Sequence, residues 1–327
     1  MHLSDALISP SVATTIGILS IGLLALATRK VSHPSHHNSP SSIPLMGVMG
    51  AFIFAAQMIN FSIPATGSSG HLIGGILLSA VLGRWAALLT LSCVLVLQCL
   101  IFADGGLLAL GCNIFNMAVL SCLVAYPLFF KGIVRSKITT GRIITASFLS
   151  SVFALLLGAF AVTIETEASA ITVLPFSKFI LFMLPIHLVI GLGEGLATSA
   201  VLLALNSYNP QLLRPNTPRS VRPKAWIAGG VVSLLIAASF SWLASSNPDG
   251  LEWAINKLTG KTEVEHPTNE AHLWADKLQS QTALMPDYDT SYAGIVGSGC
   301  ILLLAWGIGS LSHKNKSPKY QAPHRPR

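Results

Sequence analysis

The stretch WAALLTLSCVLVLQCLIF, from Trp85 to Phe102, is 18 residues long and contains no charged side chain. An α-helix rises about 1.5 Å per residue, so this stretch approaches the length needed to cross a hydrocarbon core about 30 Å thick. The whole chain shares its character: 52% of residues are hydrophobic, 10% are charged and the mean hydropathy is +0.64. The sequence therefore predicts an all-α protein, a polytopic bundle of membrane helices.

Nine apolar segments are predicted by the same criterion, at 6–28, 44–64, 71–83, 85–102, 110–130, 139–164, 175–205, 225–244 and 292–311. The third is too short to cross a bilayer, so we expect it to begin deep in the protein, below a folded-in loop. Residues 206–224 are rich in Pro and basic residues, which predicts a cytoplasmic linker. We therefore expect a seven-helix module at 1–205 and a two-helix module at 225–327, with an outer loop at 245–291.

Basic residues are distributed unevenly along the chain. If the N-terminus lies outside, sixteen Lys and Arg fall on inner segments and only four on outer ones, namely Lys178, Lys257, Lys261 and Lys277. This bias predicts an outer N-terminus and a cytoplasmic C-terminus. The net charge of +7 then lies beside anionic lipid and does not indicate nucleic-acid binding. We interpret the inner stretch that holds His33, His36 and His37 as a polar loop rather than a metal site.

The N-terminal dipeptide Met1-His2 is a candidate metal chelate. It offers three nitrogens in fused rings: the free amine, the His2 amide once deprotonated, and the His2 imidazole. One more histidine would complete a square-planar site of four nitrogens, which suits Ni(II) or Cu(II) and admits Co(II). His71 follows the small-residue loop after the second segment, on the same outer side as Met1. A histidine at position 2 usually has no function, so the pattern alone leaves both interpretations open.

Four polar residues stand out inside the apolar segments. Asn113 and Asn116 lie one helical turn apart, and we expect them to bond other helices or to line a cavity. His187 and Glu194 are seven residues apart and therefore share one helix face. For this pair, a role in a cavity or partner contact and a structural ion pair or hydrogen bond both remain open.

These residues and their surroundings resemble the CbiM/NikM family, the substrate-binding membrane subunits of energy-coupling-factor nickel and cobalt transporters, fused to a CbiN/NikN-like module of the PDGLE type. The matching stretches are Met1-His2 with Ser9-Pro10, Asn60-Phe61 through Thr66 to Ser69-Gly70-His71-Leu72 with Gly74-Gly75, Asn113 to Met117, His187 to Leu196, and Pro248 to Trp253 with Met285-Pro286-Asp287-Tyr288. They touch both modules. The stretch Leu3-Ser4-Asp5-Ala6 departs from the family's usual Ile-Pro-Asp-Gly but leaves the donor atoms in place.

The resemblance implies a seven-helix subunit in the bacterial plasma (inner) membrane, whose N-terminus threads into an outward-facing cavity. There the Met1 amine, the His2 amide and imidazole, and His71 would hold Ni(II) or Co(II) as substrate, with no permanently bound cofactor. The residues expected around the metal or the cavity are Asn60, Ser69, Asn113, Asn116, His187 and Glu194.

The resemblance also implies partners and a division of work. A CbiQ/NikQ-like transmembrane coupling subunit and CbiO/NikO-like cytoplasmic ATPases would drive import, so the chain itself is expected not to be an enzyme. The second module is expected to govern transport more than equilibrium metal binding.

Two other classes compete with this interpretation. A self-sufficient secondary transition-metal permease usually carries charged residues in several spans, whereas here only Glu194 and the titratable His187 are available. A membrane metallohydrolase built on the same pair would have too few ligands for a catalytic zinc site. The sequence also contains no HExxH, GxSxG or Gly-rich dinucleotide turn.

Overall fold

The structure, a computed structural model, describes residues 1–32, 42–135, 137–213, 223–240, 245–264, 269–288 and 292–314. The histidines at positions 33, 36 and 37 and residues 214–222 of the predicted linker lie outside these ranges. Within the described residues the chain forms eleven helices and one small sheet. The helices are α1 (Pro10–Ser32), α2 (Ser42–Gln57), α3 (Gly75–Leu82), α4 (Arg84–Phe102), α5 (Leu110–Val134), α6 (Thr140–Ser169), α7 (Phe176–Tyr208), α8 (Pro223–Phe240), α9 (Gly250–Thr259), α10 (Glu270–Thr282) and α11 (Ala293–Lys314).

The helical bundle agrees with the predicted fold class. Each of the nine predicted apolar segments contains a helix, and five helices in the described part of the chain (α1, α4, α5, α6 and α7) are long and apolar enough to cross a membrane. Helix α3 has only eight residues and all of them are buried, which fits a segment that starts inside the bundle. The chain is therefore a multi-pass membrane protein.

The stretch between α2 and α3 differs from the predicted one. The second apolar segment was predicted to extend over 44–64, but α2 already ends at Gln57 and a hairpin follows. Its strands, β1 (Phe61–Ile63) and β2 (Ser68–Gly70), pair antiparallel. The residue before a proline avoids the helical region, and here Ile63 instead pairs with Ser68 in the sheet. The hairpin places β2 directly before His71.

The second module packs against the first along α2. Helices α8 and α11 both contact α2, and Gly297 of α11 lies so close to Phe54 that a Cβ there would come within 2.0 Å of the ring. The predicted outer loop, 245–291, is not a simple connection, because α9 and α10 lie within it and neither was predicted. Helix α9 contacts α7 and β2, and α10 contacts α4. Asp249, before α9, and His272, on α10, contact Met1 and Asp5, so this part of the second module covers the N-terminus.

Candidate metal centre

The N-terminal arm, residues 1–9, is inserted into the bundle. Met1 is 5% exposed and Leu3 is fully buried. The Asn113 side chain accepts a hydrogen bond from the Leu3 amide at 2.7 Å and donates one to the Leu3 carbonyl at 3.1 Å, while the Gly106 amide donates to the same carbonyl at 2.8 Å. Because buried backbone groups require partners, these bonds fix the chain directly after His2.

The rings of His2 and His71 lie side by side. Their centroids are 5.3 Å apart and the ring planes differ by 15°. Burial, together with the nearby N-terminal ammonium, lowers the pKa of His71 to about 4. The His71 imidazole is therefore neutral near pH 7 and has a lone pair free for a metal ion.

The loop that carries His71 is held by Glu194 from α7. One carboxylate oxygen accepts the Ile73 amide at 2.9 Å and the other accepts the Gly74 amide at 3.1 Å. Gln57, at the end of α2, donates to the Ile73 carbonyl at 2.9 Å. Both oxygens of Glu194 thus bind backbone, and the side chain does not pair with His187. Glu194 therefore makes structural hydrogen bonds to the backbone, which is one of the two roles left open for it from the sequence.

Two aspartates that the sequence analysis did not single out contact the predicted chelate. Asp249, from the second module, accepts a hydrogen bond from the Met1 ammonium. Asp104, in the loop between α4 and α5, lies 3.0 Å from His2 Nδ1 and accepts a hydrogen bond from the Tyr288 hydroxyl at 2.6 Å. The amine and the imidazole of the dipeptide therefore each face a carboxylate.

The charges around these aspartates shift their protonation. Burial would raise the pKa of Asp104, but attraction to His2 and the hydrogen bonds from His2 and Tyr288 hold it well below its usual range. Burial likewise opposes ionisation of Asp249, yet the N-terminal ammonium holds the pKa of that carboxyl well below its usual range. Both groups therefore carry a negative charge at neutral pH.

The predicted chelate opens into a cavity of about 810 Å³ between the two modules. Its lining includes His2, His71 and Asn60. It also includes six acidic side chains, Asp5, Asp104, Asp249, Glu252, Glu263 and Asp276. Among the described residues that line it there is no Lys or Arg. An acidic cleft of this kind raises the local concentration of cations.

Two of the predicted cavity residues contact the second module. Ser69 in β2 donates its amide to the Pro248 carbonyl and its hydroxyl to the Asn247 carbonyl, both at 2.8 Å. His187 in α7 lies against Gly250, where a Cβ would come within 3.0 Å of the ring. The residues at 247–250 thus fit onto both the His71 hairpin and α7.

Asn116 has a different partner. Its amide donates to the Glu165 carboxylate at 2.6 Å. Glu165 lies one residue beyond the predicted sixth segment, 139–164. The helix α6 continues to Ser169, however, and Glu165 is only 5% exposed. Asn116 therefore bonds a neighbouring helix, one of the two roles expected for it.

No three His, Cys, Asp or Glu side chains converge as a metal site within the described ranges. The predicted chelate would not form such a group, because two of its four donors are the amine and a backbone amide. What the structure brings together is the N-terminal ammonium, two imidazoles and two carboxylates, inside a multi-pass membrane protein. Nitrogen donors of this kind suit late transition metals better than Mg²⁺ or Ca²⁺. The fold and this arrangement together define a multi-pass membrane protein with a buried N-terminal cluster of imidazoles and carboxylates.

Family comparisons agree with that class. Residues 2–212 match the model of the CbiM family, described as a cobalt uptake substrate-specific transmembrane region, and residues 223–314 match the PDGLE domain. The chain belongs to the CbiM family and carries a PDGLE domain after it.

Individual relatives extend over both parts. A putative fused nickel transport protein NikMN of Archaeoglobus fulgidus is 31% identical, covering 94% of this chain and 98% of the relative. A probable fused nickel transport protein LarMN of Lactiplantibacillus plantarum is 30% identical over 83% of each chain. A solved transition metal transporter is 29% identical with a TM-score of 0.56, covering 64% of this chain and 94% of that one.

Proposed function

We propose that this chain is the substrate-capture subunit of an ATP-driven importer of Ni(II) or Co(II). The relatives that cover most of the chain are named as nickel transport proteins, and the family model names cobalt uptake. The Met1 amine, the His2 amide and imidazole, and His71 are the proposed metal donors.

One observation carries this proposal: the ring centroids of His2 and His71 lie 5.3 Å apart, although 69 positions separate the two residues in the chain. The N-terminal residue beside them is buried. The acidic cavity around them supports capture of a cation, because it offers carboxylates and no basic side chain among its described lining.

The energy source follows from the family resemblance. The sequence contains no phosphate-binding loop, so ATP hydrolysis is assigned to separate cytoplasmic ATPases of the CbiO/NikO kind, joined through a CbiQ/NikQ-like coupling subunit. With the N-terminus outside, metal would enter from the outer side. The modules proposed are 1–205 and 225–327, joined by a linker at 206–224.

The test measures metal content and affinity of the detergent-purified chain beside a variant with one extra residue before Met1. The native chain is expected to bind about one Ni(II) or Co(II), and the extended chain none, because the added residue moves the amine out of the chelate. His71→Ala should also weaken binding strongly. Equal affinity of the native and extended chains would overturn the assignment of the site.

A secondary permease is the second candidate, and the buried carboxylates of Glu165 and Glu194 in α6 and α7 are the observation that favours it. Proteoliposomes containing only this chain distinguish the two. The proposed subunit gives no sustained nickel uptake until the coupling subunit, the ATPases and ATP are added, whereas a permease gives uptake driven by an ion gradient alone.

A further inference from the structure

The second module reaches the metal centre through the first turn of α9. Asp249 precedes this helix, and its Oδ1 accepts the amides of Leu251 at 2.8 Å and Glu252 at 2.9 Å. In return, the Glu252 carboxylate accepts the Asp249 amide at 2.9 Å. This capping box fixes the Asp249 side chain, so that its second oxygen, Oδ2, is held on the Met1 ammonium.

The backbone that carries Asp249 is tied to the strand that carries His71. The Pro248 carbonyl accepts the Ser69 amide, and Ser69 lies two residues before His71. On the other side of the turn, the Trp253 indole donates to the Thr66 carbonyl at 2.9 Å, in the loop between β1 and β2. A short path of bonds therefore links the amine to His71 through Asp249 and Ser69.

The same outer loop holds the N-terminal arm at two further points. His272 Nε2, on α10, lies 2.9 Å from the Asp5 carbonyl and 3.0 Å from the Ile8 carbonyl. Tyr288 bonds Asp104, which in turn faces His2. The arm is thus enclosed by the two modules and not by the first alone.

We propose that Asp249 is a positioning residue of the metal centre, which holds the Met1 amine opposite His71, so that both modules build the site. This inference rests on the proposed function, because it assigns the amine and His71 as donors to one ion. Without this contact, metal binding would have to order the mobile chain terminus, at a cost in conformational entropy. Because Asp249 holds the terminus before the metal binds, that cost is avoided. Mutation of a group that orients a metal ligand in this way commonly lowers metal affinity by about 10- to 100-fold. The module expected from the sequence to act mainly in transport then also contributes to binding.

The experiment compares Asp249→Asn with Glu252→Gln in the full-length protein. Asn is itself a good N-cap residue, so D249N keeps α9 capped but removes the charge that holds the ammonium. E252Q removes one negative charge from the same cavity and keeps the capping box, so it controls for charge alone. We expect D249N to weaken Ni(II) affinity by about 10- to 100-fold, and E252Q to show only the clearly smaller loss that one cavity charge accounts for.

A spectroscopic measurement separates positioning from support of the fold. The visible circular dichroism of bound Ni(II) reports the arrangement of its nitrogen donors. We expect D249N at saturating Ni(II) to give an altered spectrum while its unfolding temperature stays near that of E252Q. Asp249→Ser, which also caps helices, supplies the same comparison if D249N does not fold.

The outcomes distinguish the two proposals. If D249N and E252Q both bind as the native chain does, with the native spectrum, while the N-terminally extended chain binds nothing, the role of Asp249 is overturned and the proposed function stands. If D249N and E252Q lose affinity equally, the effect is one of cavity charge and the positioning role is again overturned. If the native chain binds no metal, both proposals fail.

Discussion

Asn113 and Leu3 pair through both the amide and the carbonyl of the Leu3 backbone, at 2.7 and 3.1 Å, although 110 positions separate them. The side chain of Asn113 thus replaces the neighbouring strand that an extended segment would otherwise need. Since Leu3 directly follows His2, this pairing determines where the Met1-His2 dipeptide lies in the bundle.

Replacing Asn113 by Ala should weaken metal binding without removing a donor atom. The Leu3 amide would lose its buried acceptor, which costs about 1–3 kcal/mol, or roughly a 5- to 150-fold loss of affinity if the arm detaches in the metal-free state. Isothermal titration with Ni(II) measures this. Ser20→Ala is the matched control, because Ser20 also bonds α5, at the Gly111 carbonyl, but does not touch the arm. Equal effects of the two substitutions would contradict the role of Asn113.

The bundle was predictable because membrane helices are defined by local composition. Each of the nine predicted apolar segments contains a helix. The short third segment was expected to start inside the protein, and all eight residues of α3 are buried. The hairpin before His71 was missed, because residues 58–64 continue the apolar run of the second segment, whereas the strands depend on pairing between Ile63 and Ser68.

The aspartates beside Met1 and His2 were missed for a physical reason. The contact between Met1 and Asp249 spans 248 positions, and it forms only because the outer loop folds back over the first module. A usable signal was present, since Asp249 followed three residues later by Glu252 is a capping-box pattern and marks the start of α9. For Asp104 the sequence holds no comparable signal, because an acidic residue in an outer loop is ordinary.

Glu194 should be required for the position of His71. Glu194→Ala leaves the amides of Ile73 and Gly74 without acceptors, at a cost of about 1–3 kcal/mol for each unsatisfied group. We expect Ni(II) affinity to fall by roughly 10- to 100-fold, as for other groups that orient metal ligands. The measurement is metal affinity together with the unfolding temperature in detergent.

The control for this variant is a second buried carboxylate. Glu165→Ala removes a group of similar burial in α6, but Glu165 accepts from the Asn116 side chain and not from the loop that carries His71. It should lower stability with a much smaller change in affinity. A native affinity in Glu194→Ala, or equal losses in both variants, would show that the His71 loop does not depend on Glu194.

Gly250 leaves little room for a side chain. A Cβ there would come within 2.9 Å of Ile190 and 3.0 Å of the His187 ring, so in Gly250→Ala these two buried side chains or the first turn of α9 must shift. Overpacking of this kind costs about 1–3 kcal/mol. We expect a lower unfolding temperature and weaker Ni(II) binding, because a shift of this turn moves Asp249.

A glycine in open surroundings provides the comparison for Gly250. No atom lies within 4 Å of a Cβ built at Gly299 in α11, so Gly299→Ala should be neutral or stabilise that helix by up to about 1 kcal/mol. If Gly250→Ala has the same unfolding temperature and the same Ni(II) affinity as Gly299→Ala, the close fit of α9 on α7 is not needed for metal binding.

The pH dependence of binding should separate His71 from the other donors. Burial and the N-terminal ammonium lower the pKa of His71 to about 4, so protons compete for its lone pair only as the pH approaches that value. The native affinity should fall between pH 7 and 5, because binding must displace protons from the amine and the amide. The ratio of native to His71→Ala affinity should stay constant over this range and decrease only near pH 4. A ratio that already falls around pH 6.5, the value of an ordinary histidine, would contradict a buried, neutral His71.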